Sequence, residues 1–582
     1  MDLLSISEKK AHFWLKQTVL EPSAQADIKN LLDLSKNGNS TELVESFCQE
    51  LSFGTAGLRG IVGTGSNKLN IYNARKVAQS LAMALKKQYQ NSSLTVLLGC
   101  DSRLSSELFL NTCREILEAN HITCYAFSCP TPTPLLSFAI RNLKAQAGLM
   151  ITASHNPKDY NGIKVYGQDG AQVTSPLDEE IMDYYQSMEE NWGLIATPVK
   201  LPSKFISETI FQEYINLIEA EIFQKDLIKK EGKHLKIVYT PLHGTGASVF
   251  VPLMKQLGFS NFEIVSSQEK PDGDFPTAPK PNPEEPAALE LACELMLKSH
   301  ADFAIGNDPD ADRMGIIAND KSRPYFLTGN EINILMLHYK LEQLQTHGSL
   351  PANSIVLKSL VSSPMQDAIC QYFGVTLFAT LTGFKWMAKK IHDLETTGTS
   401  FSFIFASEES FGSMSHKNVR DKDGLSSAAL FTEMALWHKS QGRSIVEALD
   451  YLYTSFGLYF DQVFSFNLPG VTGMQKMQNL MDTFRNEKEG KEKFFGTTDC
   501  LVNITDYSKE NDGLPPSNLL KLNFASKTIL YIRPSGTEPK IKFYVMLQDH
   551  SQAELSLKKK LLKHKADLLK THLDFMIKES SK

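Results

Sequence analysis

An α/β protein, with three similar mixed α/β sandwich domains followed by a smaller α+β domain, is what the order of apolar runs predicts for this chain. Short apolar runs alternate with amphipathic stretches, which argues for mostly parallel sheets. The alternation occurs three times along 582 residues. After about Tyr459 it gives way to apolar runs on either side of a Pro/Gly turn. The length agrees, because so long a chain exceeds one hydrophobic core and roughly 150 residues per domain gives about four.

In the first copy, Leu94 to Gly99 reads as a strand, Ser105 to Asn120 as a helix, Ile122 to Phe127 as a strand, Thr133 to Leu143 as a helix and Ala147 to Ile151 as a strand. The second runs through Leu235 to Tyr239, a helix over Ala247 to Leu257, Phe262 to Val265, a helix over Pro283 to His300 and Asp302 to Gly306. The third runs through Ser354 to Leu360, a helix near Met365 to Phe373, Val375 to Thr380, a helix over Phe384 to Leu394 and Ser402 to Phe405. Thr528 to Ile532 and Ile541 to Leu547 look antiparallel. A Lys/Leu-rich helix over Gln552 to Lys578 then places Leu555, Leu562, Ala566, Leu569 and Leu573 on one face, a spacing suited to packing on the last domain. The expected domain limits are 1–205, 206–325, 326–458 and 459–582.

Composition narrows the class of function. A hydrophobic content of 42% with 22% charged residues is that of a globular protein. A formal charge of -6 gives no reason to expect nucleic acid or an acidic membrane as partner. The eight cysteines form no C-x-x-C pair and no zinc spacing, consistent with reduced thiols. Glu8, Lys9 and Lys10 interrupt the N-terminus where a signal peptide would be apolar, and no run is long enough to span a membrane. A cytoplasmic protein is expected, as a monomer or small homo-oligomer.

The polar segments that end each copy fall into register: Ser154-His155-Asn156-Pro157, then Asn307-Asp308-Pro309-Asp310-Ala311-Asp312-Arg313, then Ser407-Glu408-Glu409-Ser410-Phe411-Gly412. Open α/β sheets bind ligands at the C-terminal ends of their strands, so three such ends facing one central cleft would form a composite site. Ser154 is a candidate nucleophile, with His155 and Lys164 able to polarise or deprotonate a neighbour; the plain alternative is a capping serine in a polar turn. Lys164 would act as a general base if a partly buried cationic site lowered its pKa, and otherwise reads as a surface lysine on the strand Ile163 to Tyr166.

Asp308, Asp310 and Asp312 alternate in a loop that can turn their oxygens to one hard cation, or form a solvated acidic turn. With no His or Cys among them, magnesium is favoured over zinc. A phosphate on Ser154 would carry roughly -1.5 to -2 charges and need that cation together with donors such as Arg313. Phe53 to Gly60 brings glycine amides and Arg59 to an anion, or serves as a linker. Arg533, Ser535, Gly536, Thr537 and Lys540 compose a phosphate cradle or a charged hairpin turn. Glu408 and Ser410 suit paired sugar hydroxyls, though Glu-Glu-Ser also starts helices.

In this order, the motifs resemble the α-D-phosphohexomutase superfamily over nearly the whole chain, most closely its phosphoglucomutase-2-like branch. The resemblance implies that Ser154 is the phosphorylated serine and that Asp308, Asp310 and Asp312 hold Mg2+ with the Ser154 phosphate completing the metal site. It further implies that Arg313 is an active-site arginine and Lys164 a general base, and that Glu408 and Ser410 contact sugar hydroxyls. Thr382, Gly383 and Lys385 would belong to a loop that distinguishes sugar faces, and Arg533 to Lys540 would bind phosphate.

One departure is Gly412, where some bacterial phosphomannomutase/phosphoglucomutases carry histidine; it tilts the expectation from mannose toward glucose. The implied reaction converts glucose 1-phosphate and glucose 6-phosphate through a phosphoserine enzyme, with glucose 1,6-bisphosphate as intermediate and activator. Phosphomannomutase, phosphopentomutase and sugar-bisphosphate synthase are alternatives on the same scaffold. A non-catalytic phosphosugar-binding protein is the alternative of a different class.

Overall fold

The computed structural model describes residues 2–51, 53–54, 57–90, 92–468, 473–487, 489–490, 499–509, 513–535 and 540–579. They form two compact units, Met1–Leu327 with Gly383–Ser400 and Phe411–Trp437, and Thr328–Thr382 with Phe401–Ser410 and His438–Lys582.

The first unit contains two mixed sheets. In the first, strands Thr123–Ala126, Thr95–Cys100 and Ala147–Ile151 run parallel, and Tyr160–Gly167 and Gly57–Ile61 extend them in antiparallel register. The helices Ile71–Gln88 and Ser106–Ala119 cover this sheet through Val77, Leu81, Leu85, Phe109, Cys113 and Ile116, all buried with Val96, Leu98, Leu149 and Ile151. The second sheet repeats the plan, with Phe262–Ile264, Ile237–Thr240 and Phe303–Asn307 parallel, then Met314–Asp320 and Arg323–Phe326 antiparallel. The sheets are thus parallel on one side and antiparallel on the other. Tyr160–Gly167 and Met314–Asp320 follow the polar loops directly, and so short a return leaves no length for the crossover that a parallel partner requires.

The alternating elements expected for all three copies are present within one to a few residues. The largest shift is in the stretch from Pro283, where a 3-10 turn Pro286–Leu289 precedes the helix Glu290–Ser299. Pro286 takes the first position of that turn, the place where a missing N–H costs least. The N-terminal helices Leu3–Leu15, Pro22–Lys36 and Thr41–Phe47, for which the sequence reading assigned no element, close over an aromatic cluster of Trp14, Phe47, Tyr72 and Trp192.

In the second unit, Thr376–Thr380, Ser354–Ser359 and Ser402–Glu408 run parallel. Ser407 and Glu408 therefore close a strand, where an extended loop was expected. A separate antiparallel sheet orders Leu458–Asn467, Lys540–Asp549, Ile529–Pro534, Leu520–Phe524 and Leu501–Asp506. The helix Leu555–Glu579 packs on Leu458–Asn467 and Lys540–Asp549 with Leu562, Ala566, Leu569 and Leu573 buried. Among the described residues, no helix is long and apolar enough to cross a membrane.

Candidate functional site

Ser154 follows the strand Ala147–Ile151 in a loop whose every turn is held. Its backbone lies in the left-handed region at φ 51°, a conformation an L-residue keeps only when its surroundings impose it. The imposed contacts are visible on both sides of the residue. The Ser154 N–H donates to Thr152 Oγ1 at 2.8 Å, and the Ser154 carbonyl accepts from Arg103 Nη2 at 2.7 Å. Its hydroxyl donates to Asp308 Oδ2 at 2.6 Å and lies 3.1 Å from His155 Nδ1. Arg59 reaches the same loop, donating to Asn156 Oδ1 at 2.7 Å. Burial lowers the Arg59 pKa, and the nearby Arg313 and Arg103 charges act in the same direction against Asp310 and Asp312.

The acidic loop meets this serine from the end of Phe303–Asn307. Asp308, Asp310 and Asp312 are buried, and one carboxylate oxygen from each lies within 4.8 Å of the others. Asp310 Oδ2 accepts from Thr133 Oγ1 and Lys164 Nζ, both at 2.8 Å. Asp312 Oδ2 accepts from Lys164 Nζ at 3.0 Å and lies 3.2 Å from Lys422 Nζ. Asp310 Oδ1 and Asp312 Oδ1 are buried and accept no hydrogen bond. Two carboxylate oxygens left in this condition, beside a third carboxylate and without His or Cys, fit an oxygen-ligated divalent cation such as Mg2+.

The charges follow from this crowding. Burial, Asp310 and Asp312 push Asp308 well above the ordinary carboxyl range, although Arg313 and the Ser154 hydroxyl oppose them. Burial acts the same way on Asp312, but Lys164, Lys422 and Arg313 outweigh it and hold that carboxyl below its usual range. For Lys164, burial lowers the pKa, yet the attraction of Asp310 and Asp312 is larger and the net shift is upward. The expectation of a lowered Lys164 pKa is thus corrected: with both carboxylates at its ammonium, Lys164 is held charged. It is also fully buried, so the surface-lysine alternative falls away.

Arg313 pairs with Glu284, and its backbone N–H donates to Asp308 Oδ1 at 3.0 Å. Lys385, expected in a loop, stands instead in the first turn of the helix Phe384–Thr396, where its ammonium lies 3.6 Å from Asp178 Oδ2 and over the Trp386 ring. Gly383 has a φ of 116° and precedes the helix Phe384–Thr396. Thr382 ends the preceding segment of the second unit, with its Oγ1 buried.

In that second unit, Glu408 is buried and its carbonyl accepts from Asn333 Nδ2 at 2.8 Å. Burial and the Glu408 charge push the adjacent Glu409 carboxyl up to about 7, and its Oε2 accepts from Ser359 Oγ at 2.9 Å. Ser410 is half-buried beside them. Arg533 and Lys540 lie at facing ends of the strands Ile529–Pro534 and Lys540–Asp549, where the Ser535 N–H donates to the Lys540 carbonyl at 2.7 Å. Gly536 and Thr537 lie outside the described residues.

Four residues of the first unit's cluster escaped the sequence reading: Asp101, Arg103, Thr133 and Lys422. Asp101 and Arg103 follow the strand Thr95–Cys100, and their position at a strand end was the available signal. Lys422 had none, because it lies 110 residues from its carboxylate partner in the chain. Its path explains Gly412: a Cβ there would stand 2.2 Å from Lys422 Cδ, so no side chain fits without displacing that lysine.

Comparison with known proteins places the assembly in a family. Models of the phosphoglucomutase/phosphomannomutase alpha/beta/alpha domains I, II and III match residues 50–192, 212–321 and 328–456. A phosphoglucomutase of Staphylococcus epidermidis is 36% identical over 539 residues, covering 89% of this chain and 94% of that enzyme. The pp63/parafusin phosphoglucomutase of Paramecium, in its open form, shares the fold with a TM-score of 0.66 at 20% identity, over 90% of this chain and 96% of that one. A phosphoglucomutase/phosphomannomutase family protein of Burkholderia thailandensis gives 0.63 at 17% identity, over 89% and 97%. With three domain models matched in order and a curated relative aligned along nearly its whole length, the chain belongs to the phosphoglucomutase/phosphomannomutase family.

Proposed function

We propose that the chain interconverts glucose 1-phosphate and glucose 6-phosphate by way of a phosphorylated Ser154. The observation that carries this reading is the Ser154 hydroxyl seated 2.6 Å from Asp308 Oδ2, at the edge of a buried carboxylate triplet in which Asp310 Oδ1 and Asp312 Oδ1 accept no hydrogen bond and suit a divalent cation. Asp308, Asp310 and Asp312 would hold Mg2+, with the Ser154 phosphate as a further ligand. The ion supplies neutralisation of charge on the phosphoryl group, without which two anions do not approach.

This chain's own residues do the rest. Phosphorylated Ser154 gives its phosphoryl group to the free hydroxyl of the sugar monophosphate: the bond from Ser154 Oγ to phosphorus breaks, one from the sugar oxygen forms, and the serine oxygen regains a proton. Glucose 1,6-bisphosphate then returns its other phosphate to Ser154. Lys164 moves the proton at the reacting oxygen, which requires that the pull of Asp310 and Asp312 on it be relieved by a bound cation. Arg59, Arg313 and His155 bind the phosphoryl oxygens. Lys385, Thr382 and Gly383 read the sugar face, Glu408 and Ser410 its hydroxyls, and Arg533, Ser535, Gly536, Thr537 and Lys540 the distal phosphate. Domain limits of 1–205, 206–325, 326–458 and 459–582 belong to the same reading.

The test is turnover of Ser154→Ala in a preparation free of other mutases and supplied with glucose 1,6-bisphosphate and Mg2+. Loss of activity is expected; near-native turnover sinks the mechanism. Comparing kcat/KM for glucose 1-phosphate, mannose 1-phosphate and ribose 1-phosphate on one preparation decides the sugar, and a preference for mannose or ribose would replace glucose in this reading.

A further inference from the structure

We infer that Asp101 and Arg103 are positioning residues that hold Ser154 in its left-handed conformation and thereby set the rate of phosphoryl transfer; this rests on the reading of Ser154 as phosphate carrier. Arg103 is buried, and its guanidinium is spent almost entirely on the serine loop. Nη2 donates to the carbonyls of Ser154 at 2.7 Å and Asn156 at 2.5 Å, and Nη1 to those of Pro157 at 2.7 Å and Tyr160 at 2.9 Å. Nε pairs with Asp101 Oδ2 at 3.1 Å, and the Phe275 ring lies 5.1 Å from the guanidinium carbon. Four carbonyls of this loop thus point to one centre, and the Pro157 carbonyl also accepts the Tyr160 N–H at 3.1 Å. A planar group with five N–H donors satisfies them together.

Asp101 joins this arm to a second one. Its Oδ2 accepts from Thr152 Oγ1 at 2.7 Å, and Thr152 Oγ1 in turn accepts the Ser154 N–H at 2.8 Å. Both sides of Ser154 thus trace to a single carboxylate: the N–H through Thr152 and the carbonyl through Arg103. Asp101 is itself fixed, since its Oδ1 accepts from the Ser106 hydroxyl at 2.6 Å and the Arg103 N–H at 3.0 Å. A residue at φ 51° relaxes unless both flanking peptides are constrained. Relaxation would swing Oγ away from Asp308, although the bonds to Arg103 and Thr152 run from the Ser154 backbone and not from its hydroxyl. A misplacement of about 1 Å at a reacting atom costs on the order of 10²-fold in rate.

Three full-length proteins test this: wild type, Arg103→Lys, and Thr152→Val, which keeps its shape and loses the hydroxyl. Measured on each are kcat and KM for glucose 1-phosphate, the Mg2+ concentration giving half-maximal rate, the thermal midpoint, and the rate at which glucose 1,6-bisphosphate adds a phosphate-sized mass to the intact protein. The expected result for both variants is kcat and the phosphorylation rate falling together by about 10- to 100-fold, with KM and the Mg2+ requirement within about threefold of wild type. A fourth protein, Arg103→Met, is expected to fall further and to regain rate on addition of guanidinium, the group it lost, an effect that a general loss of folding would not give. Folded variants with wild-type kcat and phosphorylation rate overturn the positioning role. A fall confined to KM or to the Mg2+ requirement also overturns it, because the tether would then serve binding. If the wild type itself gains no phosphate and shows no turnover, the underlying reading of Ser154 fails.

Discussion

Thr133 binds Asp310 twice, donating its hydroxyl to Oδ2 at 2.8 Å and its backbone N–H to the carbonyl at 2.9 Å. It is the first residue of the helix Thr133–Asn142, so the N-terminus of an element on the first sheet fixes an acidic residue of the loop that follows Phe303–Asn307 in the second. Groups that orient metal ligands from behind are worth about 10- to 100-fold in metal affinity when removed. Thr133→Val keeps the backbone bond and loses the other. The Mg2+ concentration for half-maximal activity is expected to rise about 10-fold with little change in thermal midpoint, which a Mg2+ titration of turnover checks.

Gly244 makes a closer approach to the same loop. A Cβ at this position would stand 2.3 Å from Pro309 Cα and 2.5 Å from its carbonyl oxygen, while Thr245 donates both its N–H and its hydroxyl to that oxygen. Pro309 sits between Asp308 and Asp310 and is backbone on both sides, so it cannot yield locally. Gly244→Ala is expected to weaken Mg2+ activation and lower stability by about 1–3 kcal/mol. Urea unfolding and a Mg2+ titration read these separately. Unchanged values in both would mean that the acidic loop tolerates displacement.

A pH dependence of stability follows from Asp461 in the second unit. Burial pushes its carboxyl up to about 7, with Glu331 adding to the shift and Ser363 and Lys358 opposing it. The folded pKa exceeds the unfolded value, so this group's contribution is complete below about pH 4 and is lost as pH rises toward 7. Asp461→Asn removes the titration. Its stability relative to wild type is expected to improve with pH, by on the order of 1–3 kcal/mol between pH 4 and 8. Thermal midpoints of both proteins across that range provide the check, and a constant difference would exclude Asp461 as the titrating group.

Much of the fold was legible because period-2 and period-3.6 patterns reflect which face of an element meets the core. Ala247 to Leu257 and Met365 to Phe373 have the limits their patterns predict. The antiparallel flanks were less legible, since a fully buried strand such as Met314 to Ala318 shows no alternation and carries no mark of its direction. Ser154 and the aspartate triplet could be found because their chemistry is local: a serine in a tight loop, and three carboxylates within five residues.

Lys164 marks the limit of that legibility. Its residue type suggested a base, but its charge is governed by Asp310 and Asp312, 146 and 148 residues away in the chain. The same holds for Lys422 on Asp312 and for Gly412, which is small because Lys422 passes over it. The amino-acid sequence alone determined the elements, the repeat and the choice of Ser154 and the aspartates as candidates, since each depends on neighbours within a few residues. Tertiary structure alone decided the ionisation of Lys164, the left-handed conformation of Ser154 and the tethers from Asp101. Those depend on burial and on Coulomb partners that only the folded chain brings within hydrogen-bonding distance.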